Sequence, residues 1–279
     1  MNKRLVLSLS FFFLILSCKS GISLQMNKAG ELLENYPDSA LVVLKTIPPD
    51  QLRSPKEKAR FALLMSAALD KNYIDVQSDS LINQAVAYYS RKGPKREKML
   101  SLYYNGIILK NAKDYIPSII SFEKSEKEAS SLGDNFYLGL IFRNKASIYS
   151  LTNNNIAAVD CRIKAISYFE KADATSYKDY AELALVNDYL NNKDNQKADS
   201  LLDCLLRRSD EPLIRSQCFI RKASLLVKQN QEPEKAIELY RMGSRNLYGD
   251  NSEMNVPSRA FSNVPSVTDS NVPLQMWLL

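Results

Sequence analysis

The chain reads as an all-α protein, a solenoid of antiparallel helical hairpins, and three observations predict this. Only 8 of its 279 residues are Gly, while strong helix formers (Ala, Leu, Lys, Glu, Gln) abound away from the ends. Small residues recur in register: Ser118, Ala158 and Ala198 follow one another at a constant step of 40, and Ala236 comes 38 later. The same spacing carries Gly106 to Ala146, Val186 and Ser224, with Leu109, Tyr149, Tyr189 and Val227 one turn on and Asp114, Asn154, Asp194 and Glu232 at the turns. Such units cannot bury their apolar faces alone and must stack on their neighbours.

Composition narrows the chemistry. A chain that is 24% charged and 45% hydrophobic has ample material for a core. The absence of His removes imidazole ligands, His-based triads and the usual general base near neutral pH. The formal charge of +6 includes Lys3 and Arg4, and without them about +4 remains, too diffuse to argue for nucleic acid.

The N-terminus predicts export. Met1 to Arg4 is positive, Leu5 to Leu16 is an apolar run too short to span a bilayer, and Ser17-Cys18 follows. Ile15-Leu16-Ser17-Cys18 resembles a bacterial lipobox. That resemblance implies cleavage of a signal peptide at 1–17 and lipid attachment at Cys18, with several acyl chains holding the protein on a membrane. Lys19 is similar to the sorting position of lipoproteins sent to the outer membrane and kept facing the periplasm. An ordinary secretory leader ending at a chance cysteine is the alternative reading.

Residues 18–25 are expected to form a tether, and 26–94 two irregular helical hairpins. A helix over Gln25 to Tyr36 is followed by one capped at Asp38 or Ser39, with Ala40, Leu41, Leu44 and Ile47 as its apolar stripe and Pro48-Pro49 as its end. A third helix starts at Pro55 and runs through Ala68, and a loop covers Asp70 to Gln77. Ser78 or Asp79 caps a fourth, which carries Leu81, Ala85 and Tyr89 and stops at Gly93-Pro94. Residues 95–245 form the regular array. The segment 246–279 changes character: Asn-Val-Pro recurs at 255–257, 263–265 and 271–273, a Ser-, Asn- and Pro-rich pattern that cannot build a core. It reads either as a disordered tail or as the mark of a longer parent cut short.

In the first regular hairpin Leu102, Gly106, Leu109, Ser118, Phe122 and Ser125 fall at the spacing of large and small residues in a tetratricopeptide repeat, which the hairpin resembles. Leu102 stands where that family has tryptophan, and the step exceeds the family's usual length. Runs such as Pro37-Asp38-Ser39-Ala40-Leu41 and Asp79-Ser80-Leu81-Ile82 are similar to exported tetratricopeptide proteins of Gram-negative anaerobes, many of which continue into a membrane helix and an output region. The resemblance implies a right-handed solenoid that binds a protein or peptide partner in its concave groove. Alignment to the family's groove positions puts Tyr103, Ile107, Lys110, Arg143, Asn144, Ser147, Asn187, Arg221 and Lys228 there.

No constellation of acid, base and nucleophile can be assembled, so no enzyme activity is expected. No cofactor and no metal are expected either, since Cys161, Cys204 and Cys218 lack ligand spacing. Cys161 and Cys204 read as small buried thiols, and a disulfide between Cys204 and Cys218 is a question for geometry. Asp38-Ser39-Ala40, Asp79-Ser80-Leu81 and Asp199-Ser200-Leu201 resemble a bacterial O-glycosylation motif, and helix capping explains the first two equally well. Three functions stay in view: a membrane-tethered interaction scaffold or truncated sensor module, a glycan-binding nutrient-uptake lipoprotein, and an outer-membrane assembly lipoprotein. The single Trp, in the tail, counts against stacking on sugars.

Overall fold

The computed structural model describes residues 21–229 and 231–248, and the expectations for the leader, Cys18 and the tail from 249 onward lie outside them. Among the described residues there are twelve α-helices, one 3-10 turn at Pro49–Gln51 and no strand. Along the chain these are α1 (21–32), α2 (Pro37–Lys45), α3 (Pro55–Lys71), α4 (Ile82–Tyr89), α5 (Lys95–Asn111) and α6 (Tyr115–Leu132). They continue with α7 (Asn135–Leu151), α8 (Asn155–Lys171), α9 (Thr175–Asn191), α10 (Asn195–Arg208), α11 (Pro212–Lys228) and α12 (Pro233–Tyr248). The fold is therefore all-α, and the chain divides after Gly133 into two compact units.

In the first unit, α1, α2 and α3 enclose a core of Met26, Leu41, Leu44, Ile47, Leu52 and Phe61. Ile22 packs against it, so residues 21–25 are helix where a tether was expected. Pro37 occupies the first turn of α2, where its missing N–H leaves no bond unmade, and the cap falls on Tyr36 rather than on Asp38 or Ser39. α3 opens with a reciprocal capping box. The Ser54 hydroxyl accepts from Glu57 N at 3.2 Å, and Glu57 Oε2 accepts from Ser54 N at 3.0 Å.

The register of the array extends one hairpin further back than the sequence led us to expect. Gly106 on α5 faces Phe122 on α6: a Cβ built on the glycine would lie 2.8 Å from that ring. Sixteen residues also separate Ser66 from Ile82, Ala146 from Arg162, Val186 from Leu202 and Ser224 from Tyr240, at steps of 40, 40, 40 and 38 along the chain. Thus α3–α4 obeys the spacing of the later hairpins. Its second small position, Ser78, falls in a loop because α4 starts only at Ile82. The burial pattern supports the step independently, since that of residues 115–130 repeats residue for residue over 155–170.

The turns repeat as well. Tyr73, Lys113, Asn153 and Lys193 all have left-handed φ, between 57° and 63°. The following N–H closes each turn onto a carbonyl five residues back, at Leu69, Leu109, Tyr149 and Tyr189. In the last turn the two features separate: Gln231 N bonds Leu226 O, while Glu232 O accepts from Ala236 N as Asp114 O does from Ser118 N, so Glu232 keeps the register of Asp114. The shortened last step has a local cause. α10 ends at Arg208, Ser209 is extended, and Glu211 caps α11 by accepting from Ile214 N at 2.7 Å.

Within the first unit the small serines do more than leave room. Ser118, Ser121 and Ser125 donate to Gly106 O, Asn105 Oδ1 and Met99 O at 2.7, 2.7 and 2.9 Å. In the second unit the same register carries Ala158, Cys161 and Ala165, and the same helix, α8, also brings Phe169 against α7. A Cβ on Gly139 would lie 2.6 Å from Phe169, whose ring sits 6.1 Å from Phe136 and 5.4 Å from Tyr177.

Because that ring is held by two aromatic neighbours, Gly139→Ala should cost about 1–3 kcal/mol of stability. Adding Phe169→Leu should recover part of it. Urea unfolding of the three proteins checks this, and an unchanged midpoint in Gly139→Ala would refute the contact.

Candidate functional site

The expected groove residues divide between the two units. In the first, Tyr103 and Ile107 are only 3% and 5% exposed, and Tyr103 packs 6.0 Å from Phe122 and 5.1 Å from Tyr104. They belong to the core, which corrects their placement on an open face. The reason is the company α5 keeps: it packs on α3, α4 and α6, and every residue from Ser101 to Ile108 is buried. Lys110, near the end of α5, is half-buried.

In the second unit the first helices of the hairpins are α7, α9 and α11. Here the structure brings several expected residues together. Arg221 Nε on α11 donates to Asn187 Oδ1 on α9 at 3.0 Å, and its Nη1 donates to Gln217 O at 3.2 Å. Burial pushes the Arg221 guanidinium down to about 10, so it keeps its charge at neutral pH. Arg143 on α7 lies over the ring of Tyr177 on α9, 5.8 Å from its centroid. The Ser147 hydroxyl donates to Arg143 O at 3.0 Å, and Lys228 is exposed at the end of α11. Asn144 is the exception. It is 4% exposed, with its amide donating to Leu140 O at 2.9 Å, and so packs inside.

Sequence reasoning missed the ion pair beneath this face. Arg162 and Asp188 are 5% and 2% exposed, joined Nε to Oδ2 at 2.9 Å. Ser150 donates to Asp188 Oδ1 at 2.6 Å, and Arg162 Nη1 donates to Arg143 O at 3.3 Å. The group therefore ties α7, α8 and α9 and fixes the backbone that carries Arg143. A signal existed: Arg162 occupies the register that holds Phe122, Leu202 and Tyr240 in other hairpins. Further along, Arg208 bonds Asp179 and Glu182, and Lys222 bonds Asp199 and Asp203 at 2.6 and 2.9 Å.

Cys161, Cys204 and Cys218 are unbridged. Cys218 lies in the core with Leu183 and Leu202, while Cys204 points out from α10, which corrects its assignment as a buried thiol. Burial pushes the Cys218 thiol up to about 11. Among the described residues, no group of three or more Cys, Asp or Glu could hold a metal ion, and no helix is long and apolar enough to cross a membrane.

What the fold and this face define is an all-α protein of successive helical hairpins, with a polar, cation-bearing surface on the first helices of its second unit. Compared with protein-family models and with curated proteins, the chain matches none.

Removing Asp188 strands a buried guanidinium, so Asp188→Ala should destabilise by about 3–5 kcal/mol. The double variant Asp188→Ala, Arg162→Leu should regain most of that loss, as urea unfolding can measure. Cys204 should be alkylated by a maleimide in the native protein, with Cys161 and Cys218 modified only after unfolding. Peptide mapping by mass spectrometry reads this, and early modification of Cys218 would contradict its burial.

Proposed function

We propose that the protein is a membrane-tethered scaffold of tetratricopeptide-like repeats that binds a protein or peptide through the first helices of its second unit. The observation that carries the reading is the set Arg143, Tyr177, Asn187, Gln217, Arg221 and Lys228. These are a ring, amides and cations: Arg143 and Tyr177 meet between α7 and α9, Arg221 is held by Asn187 of α9 and by Gln217 of its own helix, and Lys228 is exposed at a helix end. Such groups recognise the backbone amides and carboxylates of an acidic segment. Prior ordering matters, because a side chain already fixed loses less freedom when a ligand arrives.

Tethering is the second half of the proposal and rests on the lipobox-like Ile15-Leu16-Ser17-Cys18. It places the scaffold on a membrane surface in the cell envelope, with the outer membrane facing the periplasm as the site. A partner held there is concentrated near the membrane, which is what a scaffold or the input half of a sensor requires.

In-cell crosslinking with mass spectrometry tests both halves. The Arg143→Ala, Arg221→Ala protein should lose its main crosslinked partner by about tenfold or more, since two charge-assisted contacts are removed. Retention of every partner would refute the groove. Cys18→Ala should leave the membrane fraction and keep the partner's affinity in solution, and persistence in the membrane fraction would refute the anchor.

A further inference from the structure

The densest run of positive charge in the described chain lies in the first unit. Residues 91–98 read Arg-Lys-Gly-Pro-Lys-Arg-Glu-Lys, five cations and one acid across the break between α4 and α5. A run of this kind is ordinarily a solvated surface. Here the fold turns it into a concavity: a cleft of about 460 Å³, lined by Arg91, Lys92, Lys95, Lys98 and Lys127, with Glu128 as its one carboxylate.

The turn that shapes the cleft is constrained twice. Gly93 has φ 108°, which side-chain-bearing residues rarely adopt, and a Cβ there would lie 2.9 Å from the Tyr89 ring. That ring is itself 6% exposed and set edge-on to Tyr88, 5.2 Å away. Lys92 and Lys95 are thus delivered on either side of a fixed bend, and α6 contributes Lys127 and Glu128.

Charge does not balance inside the cleft. Glu128 is engaged by Lys98 at 2.6 Å, and Glu97, the acid of the run, does not line it. Arg91, Lys92, Lys95 and Lys127 have no carboxylate partner among the described residues. Four like charges around one concavity repel each other, and a multiply charged anion relieves this in proportion to its charge. Lysines act as mobile point charges on phosphate oxygens, and the volume suits a small ligand rather than a lone ion.

We propose that this cleft binds a phosphoryl group carrying two or more negative charges, either on a free small molecule or at the surface of an anionic lipid layer. The site is separate from the peptide-binding face and stands without it.

Calorimetric titration of the full chain with pyrophosphate and with glycerol phosphate covers the free source. Co-sedimentation with phosphatidylglycerol vesicles, against phosphatidylcholine vesicles, covers the lipid source, and only the excess on the anionic vesicles counts, since an acyl anchor would bind both. We expect a Kd below about 1 mM for pyrophosphate, or an excess on phosphatidylglycerol, that weakens as salt is raised. The Lys92→Ala, Lys95→Ala, Lys127→Ala protein should lose about tenfold or more, its Lys→Arg counterpart should retain binding, and Lys164→Ala, Lys171→Ala on α8 should be unchanged. Binding of neither source, or binding that survives the triple Ala variant, overturns the proposal.

Discussion

The hairpins from α3 onward share one register, in which a residue on the first helix is matched with the residue sixteen positions later on the second, and at Gly106–Phe122 and Ser224–Tyr240 the two touch. Interiors are packed to near crystal density, so the pair must conserve volume between them. Gly106 opposes Phe122 with no room for a methyl group, Val186 shares its register with Leu202, and the Ser224 hydroxyl lies 3.0 Å from that of Tyr240. A second pair, thirty residues apart, follows the same rule with the roles exchanged. The first unit has Met99 with Ala129, and the second has Gly139 with Phe169. What is conserved along the chain is therefore a sum of sizes rather than an identity, and this lets the hairpins keep one spacing while their residues differ.

The rule also explains why a charge is buried. At Ala146 and Arg162 the bulk is a long aliphatic stem, which fills the place that Phe122 fills elsewhere but ends in a guanidinium. Desolvating that group is costly, and Asp188, Ser150 and the Arg143 carbonyl offset the cost together. An apolar pair could be as stable. The ion pair adds direction, because it can be satisfied only with α7, α8 and α9 in one arrangement. The first unit obtains direction by different means, through three buried hydroxyls donating to α5.

The register was legible because it is local: a small residue, a turn and a bulky residue lie within one hairpin, and Ser118, Ala158 and Ala198 displayed it directly. Where the second helix starts late, as α4 does, the small residue drops into a loop and the hairpin escapes notice. The capping box at Ser54 and Glu57 is readable by its spacing, with Ser54 directly ahead of Pro55. The open faces were less legible. Periodicity tells which side of a helix is apolar, not how many neighbours it has, so α5 was given an exposed side on which Tyr103 and Ile107 would stand. In the second unit Arg143, Asn187 and Arg221 are polar and only partly buried, while Asn144 beside them is enclosed.

Under the proposed function, half-burial is what would suit those residues to recognition. A fully solvated arginine is freely mobile, and a partner must order it. A fully enclosed one, like Arg162, is committed to its carboxylate. Arg221 lies between: Asn187 and Gln217 hold its orientation, while lost hydration lowers its pKa. An arriving carboxylate would return the stabilisation that water no longer supplies, so the cost of exposing the chain's cation to a dry interface is already met within the fold. Arg143, stacked over Tyr177, is prepared in the same sense by a ring rather than by amides. The same packing that sets the hairpin spacing thus sets which cations stay on a partly open face and which are held for the core.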